Sequence, residues 1–198
     1  MAGLLSSRTV ALTGSSLESH AVSRNALVTG PPRSGKTTTL ERVADRLREA
    51  DLTVEGLVCP EIRVEGERVG FEITDLDGRR RATMAHVDVD GPSVGKYGVD
   101  VPAIDQIVSD VIPPALTRAD CIVIDEIAPM QLESERFVEV TLRALESETP
   151  VLAAIATGSR GNFLHDVRER EDVELFAVDP ETRDELPDLL AAWVRSMG

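Results

Sequence analysis

Apolar and polar positions follow two rhythms along this chain, and each change of rhythm marks an element. A continuous apolar run at 26–29 precedes a Gly- and Pro-rich turn, after which Leu40, Val43, Ala44 and Leu47 recur at helical spacing until Asp51. A second strand read at 54–59 completes a strand, helix, strand unit of the kind that builds parallel sheets. From 61 to 86 the period falls to two. Ile62, Val64, Val69, Phe71, Ile73 and Leu76 alternate with polar residues, and Glu65-Gly66 and Asp77-Gly78 sit where hairpin turns are expected. This stretch is read as a small antiparallel hairpin insert, with Arg79-Arg80-Arg81 on its solvated rim. Residues 91–99, with Gly91, Pro92, Gly95 and Gly98, read as a loop that carries Lys96 and Tyr97.

The helical period then returns. Ile104, Ile107, Val108, Val111 and Ile112 predict a helix over 101–118 that Pro113-Pro114 interrupts. The run 121–124 is continuously apolar, as in a strand covered on both faces, and ends in Asp125-Glu126. Helices follow at 133–145 and 162–170, strands at 151–155 and 173–178, and a last helix starts near 181 with Leu186, Leu189, Leu190, Trp193 and Val194 on one face. The pattern predicts one α/β domain over 25–198, its parallel sheet sandwiched by helices. Residues 1–24 carry no motif and read as a poorly ordered leader.

The turn after the first strand carries the chemistry. Gly30-Pro31-Pro32-Arg33-Ser34-Gly35-Lys36-Thr37 fits Gly-x-x-x-x-Gly-Lys-Thr between a strand and a helix, the Walker A context, and Thr38 continues it. Such a loop turns backbone N–H groups onto phosphate oxygens and adds the positive end of the following helix. Lys36 is then expected at the β and γ phosphates and the Thr37 hydroxyl on Mg²⁺, so the ligand is a nucleoside triphosphate. Asp125 and Glu126 close another apolar strand, and ligands of open parallel sheets bind at the carboxyl ends of strands. Asp125 is thereby a metal ligand with Thr37, and Glu126 a base that polarises the attacking water, alongside Lys36 as the catalytic pair. Arg63, Arg160 and Arg183 are accessory candidates for a cation on the developing charge, and Thr157 for sensing the γ phosphate.

Composition narrows the partners. A net charge of −14 argues against tracking a nucleic acid backbone. Only Lys36 and Lys96 are lysines. This acidic, lysine-poor composition is of the type that adaptation to high salt produces, in which case the charge reports the solvent more than the ligand. Cys59 and Cys121 sit in apolar runs as small hydrophobes, and His20, His86 and His165 lack metal-ligand spacing. With no apolar stretch of membrane-spanning length, a cytoplasmic protein is expected, and nothing names a protein partner.

These motifs, in this order, resemble the small nucleoside-triphosphatases of thermophilic prokaryotes, archaea and animals. The resemblance rests on Thr29 to Thr38, Glu61-x-Arg63 with Arg68 to Phe71, Val94 to Tyr97, Ala119 to Ile127, Met130, Phe137, Val173 to Phe176 and Arg183-Asp184. It implies a P-loop fold of the RecA-like kind, Glu126 as catalytic base, and Mg²⁺-dependent hydrolysis of ATP, GTP, CTP and UTP to diphosphate and phosphate. The chain departs from the family pattern at Ala128, Gln131, Thr182 and Ala153-Ala154. Two alternatives stay open: a nucleotide or nucleoside kinase, which needs an acceptor pocket and an arginine-rich lid, and a nucleotide-dependent switch.

Overall fold

The computed structural model describes residues 23–158 and 162–197. In chain order the elements begin β1 (Asn25–Thr29), α1 (Lys36–Glu49), β2 (Val54–Val58), β3 (Glu61–Val64), β4 (Glu67–Asp75) and β5 (Arg81–His86). They continue with β6 (Ser93–Val94), β7 (Tyr97–Val99), α2 (Val101–Arg118), β8 (Cys121–Ile127), α3 (Glu135–Leu145), β9 (Val151–Ile155), α4 (Asn162–Arg168), β10 (Val173–Ala177) and α5 (Leu186–Arg195). One sheet runs β10-β1-β9-β8-β2-β4-β5-β7-β6, with β3 paired on β4. The five strands β10, β1, β9, β8 and β2 are mutually parallel, and the rest join antiparallel through β4.

The apolar runs of β1, β8 and β9 are continuous because both faces of these inner strands are covered. Along β8, Ile122 and Ile124 belong to the core shared with α2, α3 and α4, while Cys121 and Val123 belong to the core shared with α1 and α5. Leu27 and Val28 of β1 divide in the same way, as do Ala153 and Ala154 of β9. Period-two alternation is present, but both phases are apolar.

Where β2 meets β8 the backbones approach closely. Gly56 has φ +148°, and a Cβ there would stand 1.9 Å from the Val123 carbonyl oxygen. Gly56→Ala is expected to destabilise the fold by about 3 kcal/mol or more, seen in a thermal melt as a Tm lower by roughly 10 °C.

Two readings need correction. Residues 93–99 are not a loop: β6 and β7 extend the sheet edge, and Tyr97 is only 6% exposed, its ring edge-on to Phe71. The prolines do not break the second helix, since α2 runs through Pro113 and Pro114 to Arg118. Ile112 and Ala115 are buried on either side of the pair, and that packing holds the helical path against the lost hydrogen bonds. The antiparallel insert is present as β3 to β5, and β4 docks it directly on β2. The rim arginines behave as expected, Arg79 pairing with Asp77 and Arg80 with Asp75. Elsewhere capping sharpens the boundaries: Asp100 accepts from the Ala103 N–H to open α2, and Ser134 accepts from Phe137 to open α3. The leader, except for residues 23 and 24, lies outside the described residues. No helix among the described residues is long and apolar enough to cross a membrane.

Candidate active site at the carboxyl ends of the parallel strands

β1 ends where the chain must turn sharply into α1, and the loop 30–35 does so through unusual backbone. Arg33 has φ +67° and Gly35 φ +107°. Gly30 has no room for a side chain, since a Cβ would lie 2.6 Å from Ser34 Oγ and 2.8 Å from the Val178 carbonyl. The Ser34 N–H donates to the Pro31 carbonyl at 3.1 Å, which closes the turn. α1 then starts at Lys36 with no capping side chain and no acidic residue in its first turn. Its leading N–H groups and dipole are left for an anion. Pro31, Pro32, Thr37 and Thr38 lie exposed along the same loop and first turn.

β9 lies between β1 and β8, so the tip of β8 stands one strand away from the loop. Its pairing with β9 slips between Ile124 and Ile127, which takes Asp125 and Glu126 off the β9 ladder at the crevice, while Asp125 stays in register with Val58 of β2. Their shared peptide bond is cis. Lys36 reaches across: Nζ donates to the Gly30 carbonyl at 3.2 Å and lies 3.9 Å from Glu126 Oε2. Burial pushes the Asp125 carboxyl above its ordinary range, against the pull of the Thr37 hydroxyl and Lys36. Burial raises Glu126 too, with Lys36 opposing and the Asp125 charge adding. Asp125 is 6% exposed and has no cationic side chain within 4 Å among the described residues.

That donor set suits a hard divalent cation. Thr37 and Asp125 offer neighbouring oxygens, and among the described residues no group of three His, Cys, Asp or Glu could hold a metal by itself. Mg²⁺ is commonly held in this way, by one or two side chains together with substrate phosphates and water.

The accessory candidates scatter. Thr157 is exposed just past β9, beside Ala156, whose N–H donates to the Ile127 carbonyl at 3.1 Å and ties the two strand tips together. Arg160 lies outside the described residues. Arg183 is exposed on the turn after β10, which Asp179 organises by accepting from the Glu181 and Thr182 N–H groups. Arg63 sits on β3, bound to Glu61 rather than at the β8 tip.

Sequence reasoning missed Arg168, and it named Gln131 only as a departure from the family pattern. Arg168, at the end of α4, donates to the Ala156 carbonyl and also lies 3.5 Å from the Gly158 carbonyl, so it holds the backbone just past β9; burial lowers its pKa. Gln131 is buried and donates to Cys59 Sγ at 3.3 Å, beside the carboxylates; burial pushes that thiol up to about 12. Only tertiary proximity reveals these two contacts.

A family model described as NTPase matches residues 25–191. Nucleoside-triphosphatase THEP1 of Methanothermobacter thermautotrophicus is 40% identical over 158 residues, covering 80% of this chain and 88% of that protein. THEP1 of Methanopyrus kandleri is 41% identical over 165 residues, covering 83% and 91%. Among solved structures, a human cancer-related nucleoside triphosphatase superimposes with a TM-score of 0.71 at 27% identity, covering 87% of this chain and 98% of that one. THEP1 of Aquifex aeolicus shares the fold with a TM-score of 0.77 at 24% identity, covering 86% and 98%. The family match begins at β1 and ends within α5, so every element that builds the crevice falls inside it, and the chain belongs to the NTPase family.

Proposed function

We propose that this protein is a Mg²⁺-dependent nucleoside-triphosphatase that hydrolyses ATP, GTP, CTP and UTP to the diphosphate and phosphate. The observation that carries the reading is the approach of the phosphate-loop lysine to the strand-tip carboxylate, Lys36 Nζ to Glu126 Oε2 at 3.9 Å. Lys36 serves the β and γ phosphates, together with the backbone N–H groups from Gly30 to Thr38. Glu126 accepts a proton from water as its oxygen bonds to the γ phosphorus, and the bond to the bridging oxygen breaks to release the diphosphate. Its raised pKa suits that task, because a more basic carboxylate is the better proton acceptor. Thr37 and Asp125 are the residues that would hold Mg²⁺, which when bound neutralises charge on the β and γ oxygens. Arg183 and Thr157 flank the loop on the β10 and β9 sides as accessory contacts.

The test is phosphate release from each of the four ribonucleotides, with Mg²⁺ or with chelator, at low and at molar salt. Phosphate and diphosphate should appear in equal amounts from all four substrates, and chelator should suppress release. Absence of release at both salts overturns the reading, as does phosphate recovered only on an added nucleoside or nucleoside monophosphate. The salt arms also show whether the acidic composition reflects a saline milieu.

A further inference from the structure

A cavity of about 380 Å³ opens beside the phosphate loop, within the range of small-ligand sites. Arg33, Arg63, Glu67, Arg68, Lys96 and Tyr97 line it. None of Lys36, Thr37, Asp125 and Glu126 does, so the cavity shares a wall with the loop through Arg33 but lies apart from the catalytic groups. The sheet topology assembles it: β3 and β4 bring Arg63 and Arg68, and the β6–β7 turn brings Lys96 to the same end of the sheet.

The cationic groups are held in place. Glu61 bridges two of them, accepting from Arg63 Nε at 2.9 Å and Nη2 at 2.6 Å and from Arg68 Nη1 at 2.6 Å. The Arg68 guanidinium lies 5.0 Å from the Phe71 ring centre and 5.9 Å from that of Tyr97, and its Nε donates to the Tyr97 hydroxyl at 3.0 Å. Lys96 Nζ stands 5.4 Å from the Tyr97 ring centre. Among the described residues, neither Arg33 nor Lys96 has a carboxylate within 4 Å, and the acids facing the group are Glu61 and Glu67. Four cations thus meet two carboxylates, in a chain of net charge −14. The chain's two lysines fall one in the phosphate loop and one here.

We infer that this cavity is a second anion site, which takes the phosphate of a small phosphorylated molecule while a triphosphate occupies the neighbouring loop. Guanidinium groups fixed by stacking and a shared carboxylate present spare N–H donors in a set geometry, and Arg33 and Lys96 supply unpaired charge. A nucleoside monophosphate and free orthophosphate share the chemistry that these groups recognise. The inference rests on the hydrolase reading only in assigning the triphosphate to the loop.

The test is calorimetric. The full chain with Mg²⁺ is first saturated with a non-hydrolysable ATP analogue, then titrated with AMP or, separately, with inorganic phosphate. One further equivalent of AMP or phosphate should bind. Lys96→Glu, on an exposed turn, should weaken that binding more than 10-fold and leave analogue affinity within 2-fold; Arg68→Gln should weaken it in the same direction. Preference for AMP identifies a phosphomonoester as the occupant, and equal binding identifies the free anion. Binding seen only before the analogue is added overturns the inference, because the anion then sat in the loop. Absence of heat from both probes, or indifference to Lys96→Glu, overturns it too. Failure of the analogue to bind in the first titration counts against the hydrolase reading instead.

Discussion

Glu126→Gln is expected to bind nucleotide about as tightly as the parent and to lose turnover by roughly 10²- to 10⁴-fold, the range that a positioned general base contributes. Gln preserves the size of the side chain and its hydrogen-bonding capacity toward Lys36, but cannot accept the proton of an attacking water. The parent side chain is half-buried and its carboxyl is raised by burial, so the substitution removes basicity without opening a hole. Equilibrium binding of a fluorescent nucleotide analogue and steady-state phosphate release separate the two quantities. Retention of near-parental release would remove Glu126 from the base role, and parallel loss of binding would make its contact with Lys36 a determinant of the loop's shape.

Asp125→Asn is expected to separate stability from activity. The parent carboxylate is enclosed and its folded-state pKa lies above its ordinary value. Between the unfolded and folded pKa values the folded state therefore holds more protons, so stability falls as pH rises through that window, and the penalty is fully present above it. Asparagine escapes the penalty. Without metal, the variant should melt higher than the parent at neutral pH, and the difference should shrink as pH falls toward the ordinary carboxylate value. Mg²⁺-supported turnover should fall by roughly 10²- to 10³-fold, a loss of a few kcal/mol of transition-state stabilisation. Thermal melts over pH and a Mg²⁺ titration of phosphate release read both effects. An unchanged or lower melting temperature at neutral pH would contradict the buried-charge account.

Much of this architecture was legible in the residues, and the parts that were not share a cause. The inner strands β1, β8 and β9 announce themselves as apolar runs because each is covered on both faces, as Ile122 and Val123 show by pointing into different cores. The phosphate loop is legible because its geometry depends on glycines at fixed spacing, Gly30 for want of space and Gly35 for its positive φ. Strands of two and three residues, such as β6 and β7, are too short to display a period. Tyr97 is buried by the pairing of β7 with β5 and by its edge-on contact with Phe71, contacts that no local pattern encodes. The prolines of α2 misled because local propensity argues for a break while burial of Ile112 and Ala115 argues for continuity. The contacts of Arg168 with Ala156 and of Gln131 with Cys59 span 12 and 72 residues of sequence, and were invisible for that reason.

The scarcity of lysine gives the molecule a chemical handle. A reagent that acylates amines meets only two side-chain targets, and their surroundings differ: the Lys36 side chain is 12% exposed beneath the loop, whereas Lys96 is open on a turn. Each amine belongs to a different pocket, so the site of covalent tagging on this chain reports which of the two was open to the reagent.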